Sequence, residues 1–80
     1  MSKAFLRAAD ETAERRAKLA AAIRTHREAK NLTQHQLAHA IGANLQGIRR
    51  AETGTYRLTI EQAARLAIAL EFSLDTVLLG

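Results

Sequence analysis

Two histidines four residues apart, His35 and His39 in the run HQLAH, are the first side chains whose spacing suggests chemistry. On a helix, residues at i and i+4 share a face, so two imidazoles there can grip one metal ion. A hydrolytic zinc helix also needs a glutamate directly after the first histidine, as general base. Gln36 holds that position and cannot serve as a base. The chain has no cysteine, and no third ligand is marked by spacing. Nor does it show a nucleophile beside a base, a phosphate-cradling glycine loop, or paired carboxylates. The expectation is no metal, no cofactor and no enzyme. The histidines read instead as surface or phosphate-proximal groups, whose protonation would mildly strengthen anion binding at low pH.

A second group has stronger chemistry. Gln46, Arg49 and Arg50 lie within one short segment, NLQGIRRAET. Gln and Arg are the side chains that hydrogen-bond base edges at two points, Gln to adenine and Arg to guanine. The charge distribution agrees with a polyanion partner. Net charge is +4 over 80 residues. Residues 17–57 carry seven basic side chains against Glu28 and Glu52, whereas residues 58–80 carry only Arg65 against Glu61, Glu71 and Asp75. A basic centre beside a mildly acidic end points to one face made for a polyanion. Tyr56 is the one aromatic on that basic part, so a stacking platform for single strands is not expected.

The elements that must position these residues are helical. Pro and Trp are absent, and the length suits one domain with one modest core. No apolar run approaches the roughly 20 residues that span a bilayer. The first residues, MSKAFLRAADE, lack the apolar stretch of a secretory signal. A cytoplasmic protein with no membrane partner is therefore expected. From Lys3 to Asn31 there is no glycine, and Phe5, Ala9, Ala13, Ala17, Ala20 and Ile23 recur every three to four residues. This predicts one long helix, or two helices divided near Asp10-Glu11-Thr12 with Thr12 as cap. The alanines make the stripe weak ahead of Leu19, so the first 16 residues are expected to pack least firmly.

Short helices follow. Asn31 suits the left-handed residue that closes a helix. Thr33 with Gln36, and Thr59 with Gln62, form capping boxes that open the second and fourth helices. Gly42 and Gly54 stop the second and third, Asn44 caps the third, and Ser73 caps a short last helix. Leu37, Ala38, Ile41, Ile48 and Ala51 are the expected inner residues.

Taken as one unit, QHQLAHAIGANLQGIRRAE has the organisation of a helix-turn-helix. Ala38 is small where two helices cross, Gly42 sits where the chain reverses, and Ile48 plugs the angle. This text, extended to IRTHREAKNLTQHQLAHAIGANLQGIRRAETG and LTIEQAARLAIALEFSLDTVLLG, resembles the lambda-repressor-like, Cro/C1-type helix-turn-helix DNA-binding domain family. The resemblance runs from about Leu19 to Leu79. It implies an all-α, five-helix lambda-repressor-like bundle preceded by an extra N-terminal helical segment, with residues 1–16 as extension and 17–80 as the DNA-binding domain.

Similar proteins are dimeric transcription regulators of bacteria and phages whose third helix enters the major groove. The resemblance then implies base contacts from Leu45, Gln46, Arg49 and Arg50, phosphate contacts from Gln34, Asn44, Thr55 and Arg57, and a structural pair between Arg27 and Glu52. The helical wheel agrees, since Ile48 and Ala51 inward turn the base-contacting set outward. Three positions depart from the family. Gly47 stands where a small polar residue is usual, Ala51 is smaller than its usual counterpart, and Leu58 replaces a frequent proline.

Two readings of function follow. The first is a repressor that binds a palindromic operator in double-stranded DNA as a homodimer, through either the apolar end (Phe72, Leu74, Val77, Leu78, Leu79) or the N-terminal segment (Phe5, Leu6, Ala9). The second is an antitoxin-type module whose residues 1–16 grip a partner protein while the rest represses its own operon.

Overall fold

The computed structural model describes the backbone of residues 3–55 and 58–79 and the side chains of residues 13–55 and 58–78. The described residues form five helices and no strand: α1 Lys3–Ala29, α2 Gln34–Ile41, α3 Leu45–Thr53, α4 Ile60–Leu70 and α5 Leu74–Leu79. The expectations for Tyr56 and Arg57, and for the side chains of Phe5, Leu6, Ala9 and Leu79, fall outside the described residues.

Of the two arrangements the sequence left open for the first segment, the chain takes the continuous one. α1 passes through Asp10-Glu11-Thr12 unbroken for 27 residues. At 1.5 Å per residue that is about 40 Å, which sets the longest dimension of the molecule, 43 Å. Among the described side chains of α1 the first buried one is Leu19; Ala13, Glu14, Arg15, Ala17 and Lys18 are exposed.

Local hydrogen bonds fix where the other helices begin. Thr33 Oγ1 accepts from Gln36 N (3.0 Å) and Thr33 N donates to Gln36 Oε1 (2.8 Å). Thr59 and Gln62 repeat this exchange at α4, with distances of 3.1 and 3.0 Å. Ser73 Oγ accepts from Thr76 N at the start of α5. Each cap satisfies donors that the first helical turn leaves without partners. Helix ends use the left-handed conformation: Gly42 at φ 70° closes α2 and Gly54 at φ 75° closes α3. Asn31 (φ 57°) follows α1, and Glu71 (φ 60°), a less suitable residue, closes α4.

One core serves all five helices. Its largest fully buried side chains are Ile23 of α1, Leu37 of α2, Ile48 of α3, and Leu66 and Leu70 of α4. Leu74 and Leu78 of α5 cover its edge with Phe72. Ala51, smaller than its usual counterpart, is nonetheless fully packed. It is 3% exposed because α1 comes close, Ala20 of α1 being also buried. A Cβ built on Gly54 would lie 3.9 Å from Ala20 Cβ, so small residues on both helices set their spacing. The C-terminal end of α1 is held by a stack of His26 on Phe72, with ring centroids 5.1 Å apart. Beside it Lys30 Nζ donates to Glu71 Oε2 at 2.8 Å. That hydrogen bond, and then the charge of Lys30, hold the Glu71 carboxyl below the usual carboxylate range.

Gly42 isolates a backbone effect, because a Cβ there would meet nothing within 4 Å. Gly42→Ala should therefore cost about 1–2 kcal/mol, the penalty of a left-handed L-residue, and Gly42→Asn distinctly less. Chemical denaturation with an unchanged m-value checks this; equal stability of all three proteins would show that the turn relaxes freely.

Candidate nucleic-acid interface

α2 and α3 form a two-helix corner joined by Gly42, Ala43 and Asn44. Ala38 (3% exposed) lies at the crossing and Ile48 (2%) fills its angle. With Ile48 and Ala51 locked inside, α3 presents Gln46, Arg49, Arg50 and Thr53 to solvent, while Leu45 is half-buried. Gln46 and Arg50 are one turn apart and project side by side. Leu45 offers apolar surface at the first position of the helix.

Among the described residues, most cations elsewhere are neutralised locally, Arg15 and Arg16 excepted. Lys18 pairs with Glu14, Arg24 with Glu28, Lys30 with Glu71 and Arg65 with Glu61. Among the described residues, Arg49 and Arg50 form no ion pair. The outer face of α3 thus holds two unneutralised guanidinium groups on a helix whose opposite side is fixed.

What fixes it, besides the core, is a charged joint. Arg27 of α1 donates from Nε to Glu52 Oε2 (2.6 Å) and from Nη2 to Glu52 Oε1 (3.0 Å). Its Nη1 donates to the Leu32 carbonyl at 2.8 Å. Side-chain exposure is only 13% for Arg27 and 4% for Glu52. The hydrogen bond to Glu52 outweighs the cost of burial and holds the Arg27 guanidinium still more firmly in its charged form. Gln34, at the first position of α2, donates from Nε2 to the same Glu52 Oε1 at 3.2 Å. One carboxylate therefore ties together α1, α2 and α3. The tie to Gln34 has no signature in the sequence, because it depends on how the helices meet.

The residues expected at phosphates surround α3. Gln34 spends one amide hydrogen on Glu52, which leaves the other and its backbone N–H at the start of α2, where free N–H groups favour an anion. Asn44 Oδ1 caps α3 by accepting from Gly47 N at 2.7 Å, leaving its Nδ2 as a donor. A Cβ at Gly47 would stand 3.3 Å from Asn44 Oδ1, a tight contact with the capping oxygen. Thr55 Oγ1 lies 2.9 Å from Thr53 Oγ1, so the exposed hydroxyls at the end of α3 support one another. Gln34, Asn44 and Thr55 thus sit around the outer face of α3. His35 and His39 are both exposed on α2. Among the described residues no group of three or more His, Asp or Glu side chains is placed to hold a metal ion. Nor, among them, is any helix long and apolar enough to cross a membrane.

A corner of two short helices, with an outward polar face on the second, is the architecture of a helix-turn-helix domain. A helix-turn-helix family model matches residues 23–77. The chain belongs to this family, the Cro/C1-type helix-turn-helix DNA-binding domains. Among solved structures it is similar to the clp gene regulator ClgR from Corynebacterium glutamicum, with 31% sequence identity and a TM-score of 0.74, over 81% of this chain and 69% of that one. No curated protein matches the chain.

The joint predicts a stability effect. Glu52→Ala leaves the Arg27 guanidinium and the Gln34 amide without their acceptor, and should cost about 3 kcal/mol, the lower end for breaking a buried pair. Arg27→Lys should recover only part of Arg27→Ala, since an ammonium cannot make the side-on pair. Urea unfolding of the three variants measures this; a loss below about 1 kcal/mol for Glu52→Ala would place the pair with ordinary surface bridges.

Proposed function

We propose that this chain is a transcription regulator, a repressor, which reads a specific duplex through the outer face of α3. The observation that carries this is the pair Arg49–Arg50, exposed and unneutralised beside Gln46, on a helix locked from behind by Ile48, Ala51 and the Arg27–Glu52 joint. In the major groove Gln46 would accept and donate at one adenine and Arg50 would donate twice to one guanine, each contact worth about 1–3 kcal/mol of discrimination. Arg49 is the further polar reader. Leu45 would lie against a thymine methyl. The family match supports DNA binding, and the similarity to a protein named as a gene regulator supports a role in transcription.

Gln34, Asn44, Thr55 and Arg57 would hold the backbone on either side of the groove. Such contacts orient the domain and add affinity without reading sequence. Arg57 enters from its position in the chain alone. A single domain of this size makes too few base contacts to select a site in a genome. Two copies would therefore bind a palindromic operator, one α3 per half-site, about one helical turn apart. Apolar surface for pairing exists on α4, where Ile60 is 86% and Ile68 77% exposed, and Val77 of α5 is half-buried. Residues 17–80 would form the binding domain and residues 1–16 an extension, in keeping with Leu19 as the first buried one among the described side chains. The regulator would work where its duplex is, in the cytoplasm of a bacterium or of a phage-infected cell.

Selection of bound duplexes from a random pool tests the reading directly. Arg50→Ala should relax the choice at one base position per half-site and cost about 1–3 kcal/mol on the preferred site; an unchanged sequence preference would remove α3 from the reading role. Arg57→Ala should weaken all duplexes alike and flatten the salt dependence. A preserved salt slope would exclude Arg57 from the phosphate contacts.

A further inference from the structure

Arg16 belongs to the stripe by which α1 meets α3. Ala20, Ile23 and Arg27 follow it at steps of four, three and four residues, so all four lie on one side of the helix. Ala20 sits by Gly54, Ile23 lies in the core, and Arg27 is bonded to Glu52. One turn further toward the N-terminus, the carbonyl oxygen of Arg16 stands 4.0 Å from the place a Gly54 Cβ would occupy. The turn of α1 that carries Arg16 therefore rests on the residue closing the reading helix. Arg16, with Arg15, also borders an open groove lined by Leu58 and Ile60 at the α3–α4 connection and by Leu74 and Leu78 of α5.

Its charge is not managed as the other charges are. Lys18, Arg24 and Arg65 each pair with a carboxylate one helical turn away. Arg16 has Thr12, Ala13, Leu19 and Ala20 at those positions, none of them acidic. Among the described residues it forms no ion pair, a condition it shares with its exposed neighbour Arg15 and with Arg49 and Arg50. It is half-buried, so its backbone end is held in place.

In the proposed docking the first residues of α3 meet base edges. α3 has nine residues, about 13–14 Å at 1.5 Å each, so Gly54 stands about that far along the helix from the bases read, and the turn of α1 that carries Arg16 lies beside it.

We propose that Arg16 is a DNA-backbone contact, through which α1 grips a phosphate beside the exit of the reading helix. This rests on the reading of α3 given under the proposed function. The contact would come from outside the helix-turn-helix and would add affinity without sequence choice. It also gives the turns of α1 ahead of the core a role on DNA rather than on a partner protein.

The test measures affinity of the full chain for a selected duplex and a scrambled one, from about 50 to about 200 mM salt. Arg16→Ala should weaken both duplexes by the same factor and reduce the slope of log K against log salt by about 0.9 per bound chain. Arg16→Lys should keep the slope, which separates charge from packing. Arg65→Ala, the same charge change on α4, should leave it unaltered. A wild-type slope in Arg16→Ala, or an equal loss in Arg16→Lys, would overturn the assignment. If Arg50→Ala still relaxes sequence choice in that case, only the Arg16 contact fails. If Arg50→Ala is also without effect, the reading of α3 fails with it.

Discussion

The hydrogen-bonded pair of Arg27 and Glu52 is the constraint from which the rest of the interface follows. A helix of nine residues has little stability of its own, yet a reading helix must hold its outer side chains still. The core fixes one side of α3 through Ile48 and Ala51. The pair fixes its C-terminal end against α1, and Gln34 extends the tie to the first residue of α2. Burying such a pair adds little net stability over an apolar contact, but it has one geometry in which every donor is satisfied. Registration of three helices is what it contributes. The group proposed to hold a phosphate and the helix proposed to read bases are thereby attached to the same carboxylate.

Close packing of α1 on α3 is the second requirement, and small residues meet it. Ala20, Ala51 and Gly54 let the helices approach until Ala20 covers the position that closes α3. The same approach brings the N-terminal turns of α1 beside the end of the reading helix. Electrostatics then divides the surface. Among the described residues, Lys18, Arg24, Lys30 and Arg65 are paired with carboxylates, mostly one turn away on their own helix. Those on the outside of α3 are not, so the field is concentrated where a polyanion would approach.

Features governed by neighbouring residues were legible in the sequence. The capping boxes at Thr33 and Thr59, the Asn44 cap, and the left-handed closures at Gly42 and Gly54 each depend on a few adjacent groups, and the structure shows each in place. The inward set of α2 and α3 followed from helical period and the spacing around Gly42. Features that depend on packing were not legible. Continuity of α1 through Thr12 was one of two allowed outcomes. Glu71 gives no sign of a left-handed helix end, and its partner Lys30 lies 41 residues away. Gln34 reads as a phosphate ligand, and only the meeting of α2 with α3 shows its bond to Glu52. Ile60 and Ile68 look like core residues by type, yet both are exposed because α4 buries Ala63, Leu66, Ala67 and Leu70 instead.

The central claim is that the outer face of α3 meets the duplex while α4 and α5 face away from it. Backbone amide resonances of the labelled protein, followed as the selected duplex is added, test it residue by residue. The account predicts the largest shifts at Gln34, at Asn44 to Arg50 and at Thr53 to Thr55, with little change along the outside of α4 around Arg65 and Ile68. Shifts centred on α4 and α5, with Gln46 and Arg50 unmoved, would contradict it.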